Sequence, residues 1–222
     1  QEFKMLLSVS LNEGKQGLGQ IEGDISREDS FAQVAQKVLA SNIDALRETH
    51  SLLKRENFEK VIECFRRAKR ICFYGVGTSM TTAMKAADKF LKIEPKVYCV
   101  PDSHMQAMAA ALSTPDDVIL FFSYSGATKD MLDVLRPARR RGAKIILVTH
   151  FAKSPAAAMA DVTLLCGSKE GPLQSGSVAA KMGLLFIIDV LFNEYCRTNP
   201  ALTEANREPF QQSCCKHRTK GM

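Results

Sequence analysis

From residue 70 onward the chain is organised by five short apolar runs: ICFYG at 71–75, KVYCV at 96–100, VILFFS at 118–123, KIILVT at 144–149 and VTLLC at 162–166. A strand with one wet face alternates apolar and polar residues. These runs barely alternate, so the strands they predict are buried on both faces. The segments between them, near 80–92, 104–112, 128–141 and 154–159, have helical character. Strands joined by crossover helices lie parallel, and a parallel sheet must be covered on both sides. The expectation is an α/β fold: an open, doubly wound, five-stranded parallel sheet flanked by helices on both faces.

Helices frame this core. Phe31, Val34, Val38, Leu39, Ile43, Leu46, Leu52 and Leu53 recur at helical spacing and predict a long amphipathic helix over about 28–55. A second helix is expected over 57–68, with Phe58, Val61, Ile62 and Phe65 on one face, and a last one over 177–197. Residues 1–13 read as a short apolar-faced helix, so a helical N-terminal segment precedes the sheet. Residues 14–27 hold four glycines and read as a linker.

In open sheets of this kind ligands sit beyond the carboxyl ends of strands, at helix N-termini. The corner after the first strand is GVGTS, with Gly75 and Gly77 where the backbone turns tightly and Ser79 in the first helical turn. It is not a dinucleotide fingerprint: Met80 stands where the third glycine belongs, and the second strand ends in Val100-Pro101, not in an acidic residue. It is not a P-loop either, because no lysine follows at the required place. The corner after the third strand is SYSGAT. Ser123, Ser125 and Thr128 can each donate a hydroxyl, Gly126 lets backbone N–H groups come close, and no carboxylate intervenes before Asp130. A helix N-terminus adds its dipole, and the whole suits an anion. Capping alone needs one hydroxyl; this loop has three.

The remaining chemistry is sparse. The net charge of +6 gathers in RPARRRGAK, in RRAKR and at the C-terminus, runs that read first as solvated helix faces. They lack the interleaved aromatics of a single-strand nucleic-acid binder. The seven cysteines are odd in number and scattered, as expected of reduced thiols in a cytoplasmic protein. Cys214, Cys215 and His217 do not have zinc-ligand spacing. No cofactor motif, metal constellation or membrane span is expected, and His150 reads as structural.

The set FYGVGTS, SYSGAT, TH…SPAAAMADVTL and SGSVAAKMGLLFIIDVL, in this order, resembles the SIS (sugar isomerase) domain, a flavodoxin-like sandwich, over about residues 55–198. DSHMQAMAAALSTPDDVIL and GPLQSGSVAAKMGLLFIIDVLF resemble more narrowly the effector domain of RpiR-type transcriptional regulators. The resemblance implies four parts: residues 1–13 as the tail of a helix-turn-helix DNA-binding domain, 14–27 as linker, 28–198 as the SIS domain with its N-terminal helices, and 199–222 as a lightly packed tail. It implies a phosphosugar site in which Ser79, Ser123, Ser125 and Thr128 hold the phosphate and Gly75, Gly77 and Gly126 shape the floor. Asp102 and His104 would contact sugar hydroxyls or merely begin a helix. Glu170 would bind sugar hydroxyls or, in an isomerase, act as base, as could His104. Lys181 would pair with the anion or remain solvated. The expected protein is a non-catalytic sensor, a homodimer or homotetramer, whose partners are a sugar phosphate and, through the helix-turn-helix domain, DNA. The alternatives are a phosphosugar isomerase and a protein-binding SIS module.

Overall fold

The computed structural model describes residues 20–22, 25–167 and 177–215. Within the stretch that reads as linker, β1 (Gln20–Glu22) pairs antiparallel with β2 (Ile25–Ser26). Helix α1 (Phe31–Leu52) follows, started by a reciprocal cap: Ser30 Oγ accepts from the Gln33 N–H while Gln33 Oε1 accepts from the Ser30 N–H. Helix α2 (Arg55–Arg67) is separate from α1, because the backbone turns extended at Leu53 and Lys54.

The alternating part of the chain folds as β3 (Arg70–Gly75), α3 (Thr78–Leu91), β4 (Val97–Cys99), α4 (Ser103–Ala111), β5 (Asp117–Phe122), α5 (Lys129–Arg140), β6 (Lys144–Thr149), a 3₁₀ turn (Ala157–Met159) and β7 (Val162–Leu165). Helices α6 (Val178–Thr198) and α7 (Pro200–Cys215) complete it. The five later strands form one parallel sheet in the order β4-β3-β5-β6-β7.

Successive side chains on each strand point to opposite faces, so the sheet makes two cores. Ile71, Phe73, Val118, Leu120, Phe122, Ile146 and Val148 face α2, α3 and α6. There Phe65 and Phe90 meet edge to face at 5.6 Å. Cys72, Tyr74, Ile119, Phe121, Ile145 and Leu147 face the other way, toward Met131, Val134 and Leu135 of α5. Every residue of β5 is buried, which is why its sequence shows no alternation. Helix α1 lies along α6, and two glycines make room for it. A Cβ at Gly183 would come within 2.6 Å of Thr49 Oγ1, and one at Gly167 would meet Glu48. Helix α5 ends on Gly142 at φ 83, with Ala143 N–H donating to Ala138 O and Gly142 N–H to Arg139 O, the Schellman arrangement that a left-handed glycine permits.

Three expectations need correction. The segment 154–159 is only a 3₁₀ turn, Ala157–Met159, and the Ala156 N–H before it donates to Gly126 O at 3.0 Å. Strand β4 is confined to Val97–Cys99; the chain leaves the ladder ahead of Pro101, which has no N–H to donate. Of the tail expected over 199–222, residues Pro200–Cys215 form a helix that the sequence reading did not foresee. Pro200 opens α7 with the φ a first helical turn requires. Asn206 Nδ2 donates to Ile93 O at 2.9 Å, and Leu202 packs against the first core.

At the amino-terminal edge of the sheet, Arg70 grips Asp117 through two hydrogen bonds, of 3.1 and 2.8 Å, and the Thr114 N–H donates to the same carboxylate at 2.7 Å. Burial opposes the charge of Asp117, but these donors outweigh it and hold the carboxyl below its usual value of 3.8. A carboxyl whose folded value lies below its unfolded one adds stability that is complete at neutral pH and fades as pH falls through the folded value. Asp117→Asn should therefore destabilise by about 2 kcal/mol near pH 7. In urea melts across pH, the gap between wild type and variant should close below about pH 4; a gap constant with pH would show that the charge contributes nothing.

Candidate functional site

The order of the strands locates the site. From β3 the chain crosses to β4 on one side, then returns past β3 to β5 on the other. The corners after β3 and β5 therefore diverge and leave a crevice between them, the topological switch point at which open α/β sheets bind ligands. A cleft of about 190 Å³ lies there. Ser79, Ser123, Ser125 and Thr128 all line it, together with Val76, Thr78 and Tyr124, over a floor that includes Phe122 and Met131.

Each hydroxyl is presented in a specific way. Ser123 is buried, and its Oγ accepts the Gly126 N–H at 3.1 Å. Ser125 Oγ accepts the Ala127 N–H at 3.3 Å. A hydroxyl that accepts from backbone keeps its own proton to donate, and among the described residues neither proton has an acceptor. Thr128 is the N-cap of α5, yet its side chain makes no capping bond; the Ser79 hydroxyl likewise has no partner among the described residues. The first-turn N–H groups of Lys129, Asp130 and Met131 lack intrahelical acceptors by construction of the helix. Two helix N-termini, those of α3 and α5, thus bring their positive ends to one crevice. Among the described residues that line it none carries a charge. They offer hydroxyl and amide donors to a small anion.

The glycines serve the corners. Gly75 ends β3, where a Cβ would sit 2.6 Å from Ser79 O, so the first turn of α3 folds directly onto it. Gly77 caps α3 at φ 58, and Gly126 lies at φ 61. The turn around Gly126 is tied down from outside. Its carbonyl accepts from Ala156, Tyr124 O accepts from Thr149 Oγ1 at 2.9 Å and from the His150 N–H, and the Tyr124 ring stacks on His150 at 5.0 Å and 7°. His150 Nδ1 is 3.0 Å from Cys166 O, which gives this histidine a structural place at the rim.

Other expected residues stand apart. Asp102 caps α4, accepting the Met105 N–H at 2.8 Å. His104 is exposed in the first turn of α4, and neither lines the cleft. Lys181 is half-buried near the start of α6, also outside the lining. Glu170 lies outside the described residues. Thr78 and Tyr124 are lining residues that motif reading passed over. Thr78 adjoins Ser79 in the same corner, whereas the orientation of Tyr124 depends on β6.

Burial pushes the Cys99 thiol up to about 11, with a smaller contribution from Cys72, and burial raises Cys72 as well. Both are protonated at neutral pH and poor nucleophiles. Cys64, Cys72, Cys99, Cys166 and Cys196 form no disulfide. Among the described residues no cluster of histidine, cysteine or carboxylates could hold a metal ion, and no helix is long and apolar enough to cross a membrane.

A Cβ at Gly126 would meet Ser154 Oγ at 2.2 Å in a backbone region unfavourable to any L side chain. Gly126→Ala should cost about 3 kcal/mol and disorganise the SYSGAT turn. Chemical denaturation checks the first effect and loss of anion binding at the cleft the second; a Gly126→Ala variant of unchanged stability would mean that the turn relaxes freely.

Comparison with known proteins agrees with this geometry. Residues 64–193 match the family model of the SIS domain. The chain is 33% identical over 192 residues to an uncharacterized HTH-type transcriptional regulator of Haemophilus influenzae, a match covering 86% of this chain and 67% of that protein. It is 27% identical over 179 residues to the HTH-type transcriptional regulator RpiR of Escherichia coli K12, covering 81% of this chain and 60% of the relative. Among solved structures, the Vibrio vulnificus NanR protein complexed with ManNAc-6P superposes with a TM-score of 0.78 at 26% identity, over 93% of this chain and 72% of that one. The sugar isomerase domain of an RpiR transcription factor from Sphaerobacter thermophilus superposes with a TM-score of 0.74 at 20% identity, over 81% of this chain and 99% of that one.

Proposed function

This chain belongs to the SIS domain family, in the branch of RpiR-type HTH transcriptional regulators, and from that membership we propose that it is a sugar-phosphate sensor. The observation that carries the reading is the convergence of the Ser79, Ser123, Ser125 and Thr128 hydroxyls and two helix N-termini on one crevice at the β3/β5 switch point. A phosphate ester supplies the acceptor oxygens that these donors lack, and charge-assisted hydrogen bonds at a helix end supply the affinity. The related NanR protein in complex with ManNAc-6P supports the class of ligand. Asp102, His104 and Glu170 remain the candidates for the sugar end, and Lys181 the candidate for a charge beside the anion. Binding regulates DNA affinity through a helix-turn-helix domain only if the two states of the protein bind the ligand unequally.

A sensor of this kind does not turn its ligand over, and the relatives named above are regulators. The test is thermal unfolding against a panel of sugar phosphates that includes N-acetylamino-sugar 6-phosphates, with free sugars and inorganic phosphate as controls. One phosphosugar should raise Tm by mass action. Ser123→Ala and Ser125→Ala should each weaken its binding about tenfold to a hundredfold, the loss expected for a hydrogen bond to a charged group. Isomerisation of that phosphosugar by the wild-type chain, abolished in Glu170→Gln or His104→Ala, would replace the sensor with an enzyme. No shift with any phosphate ester would leave the protein-binding module.

The proposed sensor is a homodimer or homotetramer. Helix α1 supports this: of its 22 residues only Ala45 and Thr49 are buried, and Phe31 (89% exposed), Val38 (44%) and Leu39 (53%) present apolar surface. Patches of this kind mark subunit contacts. Val38→Glu with Leu39→Glu should shift the sedimentation coefficient to that of a smaller assembly; an unchanged assembly would place the contact elsewhere.

A further inference from the structure

Gln106 is fully buried, on the side of α4 that faces the sheet. Its Nε2 donates to Val100 O at 2.8 Å and to Gly75 O at 3.0 Å, and lies 3.3 Å from Met80 Sδ. Its Oε1 is buried and has no hydrogen-bond partner among the described residues. The strand pairing explains the placement. On one side β3 stays paired to its last residue, Gly75 opposite Phe122 of β5. On the other side the pairing with β4 stops at Phe73 and Cys99. Beyond that point the carbonyls of Gly75 and Val100 have lost their sheet neighbours, and the two N–H groups of one side-chain amide serve both. Gln106 thus continues the β3/β4 ladder past the end of β4, at the point where the sheet begins to open.

Both protein groups it holds on the β3 side flank the cleft. Gly75 and Met80 bracket Val76, Thr78 and Ser79, the β3 wall of the crevice, and the first turn of α3 rests on Gly75. The β5 wall, with Ser123, Ser125 and Thr128, makes no contact with Gln106 in the hydrogen-bond pattern. An apolar side chain of equal length would remove the unpartnered Oε1 but would strip its donor from the buried Gly75 carbonyl and the half-buried Val100 carbonyl, which is costly. The amide is suited to placing a corner, while its own oxygen gains nothing.

We propose that Gln106 is a positioning residue for the ligand site: it fixes the Gly75 corner, and through it the Ser79 hydroxyl and the N-terminus of α3, against the β5 wall. This rests on the reading of the crevice as an anion site and adds that the two walls are supported independently.

The experiment is amide NMR of the whole chain titrated with inorganic phosphate and with the best sugar phosphate of the panel, in wild type, Gln106→Met and Ile187→Val. Ile187 is buried in the first core, remote from the cleft lining, so its variant reports what lost stability alone does. In wild type the amides of Gly77, Ser79, Ser125 and Gly126 should all respond. In Gln106→Met the responses of Gly77 and Ser79 should collapse while those of Ser125 and Gly126 persist, with binding about tenfold weaker. Ile187→Val should leave both walls responding. Equal loss on both walls of Gln106→Met, or the same pattern in Ile187→Val, would reduce Gln106 to a core residue and overturn the proposal. Full retention of the Gly77 and Ser79 responses would overturn it too. If wild type itself responds at neither wall, the anion site fails, and the positioning role falls with it.

Discussion

The structure depends on the reversal of winding at β3. A parallel strand buried on both faces obliges every connection to cross over the sheet. The first crossover carries the chain outward to β4, and the second brings it back over β3 to β5. The third continues from β5 to β6, so the corners after the adjacent strands β3 and β5 leave the sheet in opposite directions. The gap between them cannot be filled by the backbone of either, and it is bounded by the N-termini of α3 and α5. The crevice follows from topology before any side chain is considered.

What the side chains add is a particular electrostatic character. An anion site could be lined with lysine or arginine; the described lining of this one has hydroxyls and amide dipoles. Such a site depends on geometry more than on long-range attraction, because dipoles fall off faster than charges and must be held in place. The holding is visible around it. Thr149, His150 and Ala156 tie down the SYSGAT turn from the β6 side, and the Gly75 corner is fastened from the β4 side by Gln106. The charged network sits at the opposite, amino-terminal edge, where Arg70 and Asp117 close the ends of β3 and β5. The sheet is thus pinned by ion pairs at one end and left open, with oriented dipoles, at the other.

Much of this was legible in the chain. The five unalternating apolar runs gave five parallel strands, and GVGTS and SYSGAT marked the two corners that form the crevice. The signals were strong because they are local: burial on two faces removes alternation, and a tight corner needs glycine. Other features escaped for equally physical reasons. The helical tract of 199–222 was hidden because its helix is held by contacts to distant Ile93 and the first core. The alanine-rich segment 154–159 has helical propensity, but it forms only a 3₁₀ turn before the chain enters β7.

Residue types and spacing by themselves determined the class of fold, the location of the corners and the abundance of hydroxyls there, since periodicity and turn chemistry act over a few residues. Only the tertiary structure decided which corners face one another, because strand order is set by long-range pairing. It decided that Ser79 joins the serines of the β5 corner in one cleft, while Asp102 is spent on capping α4. It also decided that Gln106, one polar residue among many on a helix, lies buried beneath the Gly75 corner. A glutamine amide acquires a role only when two carbonyls from separate strands are brought within its reach, and no local spacing encodes that meeting.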